Sequence, residues 1–193
     1  MAGGAADDRR VAEWIARVVA HDDHDSFAAL VRLHQSPVRR FLRRLTGDQG
    51  QADDLAQETF WKAYRNIGSF EGRGRFLSWL FRIAYQLFAT ERRRRPALIQ
   101  VPLSDELEAQ GGEGRGDEGD PVASFVAGRT FDQLLERLRP EERAALVLHY
   151  RHELTHPEVA EILGLPLGTV KTLIRRSRLK LQRTQANEGE DEP

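Results

Sequence analysis

The chain of 193 residues contains no cysteine. That absence excludes a disulfide framework and a thiolate metal site, and it argues against direct thiol sensing. No run of about 18 apolar residues exists, so no segment is expected to span a membrane. The start, Met1-Ala-Gly-Gly-Ala-Ala-Asp-Asp8, lacks the basic opening and apolar centre of a secretion signal. Together these absences place the protein in the cytoplasm, with no membrane contact of its own. Net charge is lacking too: 29 Lys and Arg against 30 Asp and Glu leave −1. Spread evenly, that balance would disfavour a nucleic-acid binder.

The charge is not spread evenly. Between Pro166 and Asn187 there are six basic residues and no acid, and Arg92 to Arg95 is an unbroken basic run. Between Asp105 and Asp120 stand seven acids and one Arg, and the tail from Glu188 adds four acids. Segregation by segment, not the average, is the usable signal.

Hydrophobic spacing predicts an all-α fold of two small helical domains joined by a flexible acidic linker, the C-terminal domain being a helix-turn-helix. The expected boundaries are 9–96 and 131–185 for the domains, 97–130 for the linker and 186–193 for the acidic tail. In the first helix Val11, Ile15, Val18 and Val19 share a face. Phe27, Leu30 and Val31 mark a second helix. Ser36-Pro37 reads as a cap with proline at the first helical position, opening a third helix with Val38, Phe41, Leu42 and Leu45. Further helices run from about Ala52 to Ile67 and from Phe76 to Glu91. From Ala97 to about Thr130 the Gly/Asp/Glu-rich composition predicts a tether without a core of its own. Leu134, Leu135 and Leu138, then Ala145, Leu146 and Leu148, resume the helical pattern.

Thr155-His-Pro-Glu158 is a capping box with proline in the first turn. Val159, Ile162 and Leu163 supply the buried face of the helix it starts, and Gly164 can take the left-handed conformation that stops it. A second helix follows, with Val170, Ile174 and Leu181 inward and Lys171, Thr172, Arg175, Arg176 and Arg178 outward. Helix, tight turn and basic helix is the layout of a DNA reader. Arginine can grip guanine bidentately, whereas lysine meets phosphate as a point charge.

On the helix from Ala52 to Ile67, Leu55, Ala56, Phe60, Ala63 and Ile67 form the expected core face. Asp54, Gln57, Glu58 and Trp61, at i, i+3, i+4 and i+7, form a second stripe. A large aromatic beside acids suits a protein-contact hot spot; spacing alone equally allows Trp61 to pack on a neighbouring helix. From Phe70 to Arg95, aromatics (Phe70, Phe76, Trp79, Phe81, Tyr85, Phe88) interleave with arginines, which suits stacking of unpaired bases beside a phosphate backbone. Most of these rings are expected in the core, with a minority meeting nucleic acid.

Two other clusters invite a catalytic or metal reading. His21-Asp-Asp-His-Asp25 has the residue types of metal-dependent phosphohydrolases, but no further His/Asp set is spaced to complete a site. It reads as a polar interhelix turn. His149, His152 and His156 straddle a helix boundary and read as surface histidines near DNA. Neither metal, cofactor nor enzymatic activity is expected.

Asp53-Asp-Leu-Ala-Gln-Glu-Thr-Phe60, Phe76-Leu-Ser-Trp-Leu-Phe-Arg-Ile-Ala84 and Gly168-Thr-Val-Lys-Thr172 together resemble bacterial RNA polymerase sigma factors of the extracytoplasmic-function class. The resemblance covers both domains in the family's order. It implies that Asp54, Gln57 and Glu58, with Trp61 beside them, dock on the clamp coiled coil of the largest subunit of core RNA polymerase. It implies that the loop from Gly68 to Arg75 and the helix after it (Phe70, Arg73, Arg75, Arg82, Gln86) capture a flipped base of the −10 promoter element. Such capture offsets an unstacking cost of a few kcal/mol without ATP-driven chemistry. It also implies that the basic helix reads the −35 element, that the linker threads the polymerase channels, and that an anti-sigma protein holds the factor inactive. Gln86 and Thr90 stand where the family often has Asn and Asp, and Leu173 where many members have a basic residue. The alternatives are a stand-alone helix-turn-helix regulator, which leaves the Asp54/Gln57/Glu58 stripe and the aromatic–arginine segment without a task, and a sigma-like decoy that binds a regulator but never initiates.

Overall fold

A computed structural model describes residues 3–72, 75–94, 132, 133 and 135–189, with side chains from 7 to 183. The chain divides into two compact units, residues 1–95 and 96–193. The linker expected at 97–130, Arg73 and Leu134 lie outside the described residues.

In the first unit α1 (Gly3–His21), α2 (His24–Thr46), α3 (Gln49–Asn66), a single 3-10 turn (Ile67–Ser69) and α4 (Phe76–Arg94) form a bundle. Helix α2 is its centre, packing on the other three. Each of its ends is set by local chemistry. The Asp23 carboxylate accepts the N–H groups of Asp25 and Ser26 at 3.1 and 3.2 Å. At the far end Gly47 takes φ 70° and donates its N–H to the Arg43 carbonyl. Only glycine enters that left-handed region without penalty. Asp48 at once caps α3 by accepting from the Gln51 N–H at 2.6 Å. One residue stops a helix, the next starts another, and α3 folds back along α2.

Helix α2 corrects one expectation. It runs unbroken through Ser36-Pro37, and no third helix opens there. The Ser36 hydroxyl accepts from the Arg40 guanidinium at 2.9 Å. Leu30, Val38, Phe41, Leu42 and Leu45 lie on one buried face across the proline. An interior proline costs about 3 kcal/mol. Burying four large apolar side chains beyond it, at about 1.5–3 kcal/mol each, outweighs that cost.

Phe41 stacks near Phe81 (centroids 4.9 Å) and His34 near Phe76 (5.4 Å). Higher numbers on α2 meet higher numbers on α4, so the two helices run the same way. Val19, expected inward, is 55% exposed, while Val11, Ile15 and Val18 are buried. On α3 it is Thr59, its hydroxyl donating to the Leu55 carbonyl at 2.7 Å, that is buried, and Phe60 is half-buried. Helix α4 continues into the arginine run as far as Arg94 instead of stopping at Glu91.

In the second unit α5 (Pro140–Leu146) passes into a π-helical turn (Val147–Arg151), followed by α6 (His156–Leu163) and α7 (Leu167–Gly189). The capping box at Thr155 is present: its N–H donates to the Glu158 carboxylate at 2.8 Å, and Gly164 ends α6 at φ 66°. Leu146, Leu148, Val159, Ile162, Val170 and Ile174 are buried together. Leu135, Leu138 and Ala145 are buried as well. Leu173 also points inward, 7% exposed. At about 100° per residue position 173 falls on the core side of α7, so it presents nothing to DNA.

Candidate functional site

The outward stripe of α3 is exposed at all four positions, Asp54, Gln57, Glu58 and Trp61. Trp61 is 59% exposed. It does not pack into a neighbouring helix, which removes the structural reason for a tryptophan at that position. The Arg65 guanidinium sits 6.0 Å from its ring centroid, at the outer limit of a cation–π contact. Glu58 pairs with Lys62 at 3.5 Å and Asp53 with Arg39 at 3.3 Å. Exposed pairs of this kind contribute at most about 1 kcal/mol and yield readily to a partner. Beside the stripe a shallow groove between α2 and α3 is lined by Val31, Gln35, Arg39, Asp54, Gln57 and Phe60. Phe60 is half-buried because it forms a wall of this groove.

On α4, Arg75 just before the helix, Arg82 and Gln86 are all exposed. Their spacings of seven and four bring them to one side, opposite the buried Leu80, Ala84 and Leu87. Phe70 is half-buried, edge-on to Phe76 (5.3 Å, 81°) and tilted to Trp79 (5.6 Å). Phe76 is buried and Trp79 half-buried. The rings therefore divide much as expected. Phe76, Phe81, Tyr85 and Phe88 are core, while Phe70 and Trp79 keep partly open faces at the rim. The Thr90 hydroxyl donates to the Gln86 carbonyl at 2.8 Å. The half-buried His34 ring behind Phe76 is held neutral, its pKa lowered to about 4 by desolvation.

On α7, Lys171, Arg175 and Arg176 are exposed, whereas Thr172 and Arg178 are half-buried. The Thr172 hydroxyl donates to the Gly168 carbonyl at 2.9 Å. Arg178 sits at the edge of the stripe, where the helix surface curves toward the core.

Two residues that hold the second unit together, one of them by gripping this helix, were not legible in the sequence. Glu142 of α5 is fully buried and accepts from Lys180 of α7 at 2.6 Å and from the Arg139 N–H at 3.0 Å. Burial pushes its carboxyl up, but the Lys180 and Arg139 contacts outweigh that and hold it below the usual carboxylate value. Arg143 gathers three carbonyls, those of Leu135, Glu136 and Leu138, at 2.9–3.2 Å. The only sequence signal was Pro140-Glu-Glu142, a proline first turn with an acid at its third position.

The histidines are engaged with neighbouring groups. His149 and His156 stack with centroids 4.6 Å apart, and His149 Nδ1 lies 2.8 Å from the Leu154 carbonyl oxygen. Among the described residues no three His, Cys, Asp or Glu side chains are grouped to hold a metal. At the α1–α2 turn, Tyr64 donates to Asp22 and lies 3.1 Å from His24 Nδ1. The acidic-histidine turn is thereby tied to α3. Among the described residues no helix is long and apolar enough to cross a membrane.

A capped helix, a glycine turn and a basic helix firmly set on a small core define a DNA-binding helix-turn-helix protein with a second helical unit. The comparisons with known proteins narrow that class. Sigma-70 region 2 matches residues 30–96, and Sigma-70 region 4 matches residues 129–181. The ECF RNA polymerase sigma factor SigW of Bacillus subtilis is 34% identical over 175 residues, covering 86% of this chain and 91% of that protein. The RNA polymerase sigma-H factor of Pseudomonas aeruginosa is 31% identical, covering 83% and 86%. The solved sigma factor RpoE of Bartonella quintana, in complex with the anti-sigma factor NepR, aligns with TM-score 0.60 and 27% identity over 81% of this chain and 94% of that one. The chain belongs to the extracytoplasmic-function sigma factors of RNA polymerase. It is a promoter-recognising transcription initiation factor.

Proposed function

We propose that the two units divide promoter opening between them. Asp54, Gln57, Glu58 and Trp61 dock on the clamp coiled coil of the polymerase. Phe70, Arg73, Arg75, Arg82 and Gln86 take the −10 element as an unpaired strand. Lys171, Thr172, Arg175, Arg176 and Arg178 hold the −35 duplex. Domain limits of 9–96 and 131–185, with the acidic 97–130 between them and 186–193 after them, fit this division. The factor adds no bond chemistry of its own, works in the cytoplasm and needs neither metal nor cofactor.

The observation that carries this reading is Trp61, 59% exposed beside two acids. An exposed tryptophan offers a large apolar area that a partner can take out of water, and aromatics of this kind dominate interface energies. A regulator acting on duplex DNA alone leaves that stripe without a task. For the −10 contact, partly open Phe70 and Trp79 beside exposed arginines provide a stacking rim. For the −35 contact, Arg175 and Arg176 project from a face bare of acids. A solved sigma factor similar to this chain is bound by an anti-sigma factor, which supports a partner of the same kind here. Reconstitution with core polymerase tests the whole reading: the protein should bind core and direct transcription from a specific promoter. Binding without initiation would leave the decoy standing, and no binding would overturn the docking face.

A further inference from the structure

The histidine pair in the second unit has no role in the function so far. His149 belongs to the π-helical turn, His156 opens α6, and the rings are nearly parallel (29°) with centroids 4.6 Å apart. A carbonyl oxygen only accepts, so the 2.8 Å contact with Leu154 places the proton of neutral His149 on Nδ1 and leaves Nε2 as the basic nitrogen. Both residues are half-buried.

The groups whose charge reaches His156 are His149 from the π turn and Lys171, the fifth residue of α7. Burial first, then the positive charges of His149 and Lys171, lower its pKa. On its own helix the acids are Glu158, whose carboxylate is turned back to the Thr155 N–H and hydroxyl at 2.8 and 2.7 Å, and Glu161, exposed more than a turn further on. Arg151 and Glu153 are exposed on the connecting segment. The positive end of the α6 dipole lies at the same spot. Three nitrogen-bearing side chains thus converge beside the exposed Lys171–Arg175 edge of the DNA-reading helix. In the free protein burial, and after it the neighbouring positive charges, favour the neutral form of His156. An anion seated there would reverse that balance and draw a proton onto His156.

We propose that His156 and Lys171 hold one backbone phosphate of duplex DNA, that His156 becomes protonated when it does so, and that His149 supports the charged ring from behind. The contact rests on the reading of α7 as the −35 helix and deepens it: part of the DNA affinity is proton-linked. The sign follows from the cause. The free ring titrates below the ordinary imidazole value and the bound ring above it, so binding takes up a proton. Affinity should be highest at low pH and decline as pH rises through the bound-state pKa.

The test uses the full chain and a short random-sequence duplex carrying a pH-insensitive dye, titrated by anisotropy from about pH 5.5 to about pH 8, the imidazole range. Wild-type affinity should fall about tenfold more than that of His156→Gln, corresponding to about one unit of pKa displacement. The imidazole proton resonance of His156 in the wild-type chain, assigned by the same variant, should titrate higher with duplex than without. Equal pH slopes for the two proteins, with DNA binding retained, would overturn the proposal alone. Absence of duplex binding at every pH would overturn the DNA reading of α7 with it. An equal displacement caused by inorganic phosphate would reassign the site to a free anion and remove DNA as its ligand.

Discussion

Helices α3 and α7 use one device with opposite charge. Each buries one face and leaves a stripe outside. On α3 the stripe is acidic with an exposed tryptophan, and its local pairs are loose: Glu58 with Lys62 at 3.5 Å, Arg65 near the ring of Trp61 at 6.0 Å. On α7 the stripe is basic, and the helix is anchored from below by a buried carboxylate, Glu142, at 2.6 Å from Lys180. The difference teaches what each proposed partner would require. A protein hot spot gains from an aromatic that its partner desolvates. A helix that reads base edges needs its orientation held, because phosphate attraction alone is indifferent to register.

The sharpest way to break this comparison is to remove the α3 stripe. Glu58→Ala with Trp61→Ala should weaken core-polymerase binding by about 3–4 kcal/mol while leaving duplex binding by the free protein unchanged. A titration showing equal loss on both sides would mean the substitutions disturb the fold instead of a docking face.

Next comes the anchor. Lys180→Met strands the Glu142 carboxylate with Arg139 as its remaining cationic neighbour, and should destabilise the second unit by about 2–3 kcal/mol. Chemical denaturation followed by amide exchange should show the loss in α5 and α7 and none in α2. Conversely, His34 makes the first unit acid-sensitive. Folding holds it neutral to about pH 4, whereas the unfolded chain takes up a proton below about 6.5. Stability is therefore full above about pH 6.5 and should fall by about 2 kcal/mol toward pH 4. His34→Leu should flatten that part of the melting profile, and an unchanged profile would mean that the ring is hydrated.

The smallest expected effect is Arg175→Ala, which should weaken −35 duplex binding by about 1 kcal/mol if the side chain reads a base. Loss confined to one base position marks base reading; a uniform loss across sequences with a shallower salt dependence marks a phosphate contact.

The features legible in the sequence were those set within a few residues. The Thr155–Glu158 cap, the Gly164 turn and the all-helical class depend on local propensity and a repeat of 3.6, whereas the spacing left the exposure of Trp61 open. The misses involve distant partners. Ser36-Pro37 has the grammar of a helix start, yet the buried face shared with α3 and α4 carries α2 straight through it. Val19 lies beyond the arc that α2 covers, and Phe60 gives its core place to Thr59 because the groove needs a wall.

By itself the sequence determined two helical units, the charge of each outward stripe and the helix-turn-helix, since charge and capping are properties of neighbours along the chain. Only the tertiary structure decided that Leu173 turns inward, that Glu142 reaches across 38 residues to hold the DNA-reading helix, and that two histidines from different elements stack beside Lys171. Those juxtapositions arise from packing several elements around one core, where the geometry of the whole, and not the spacing of any segment, sets which side chains meet.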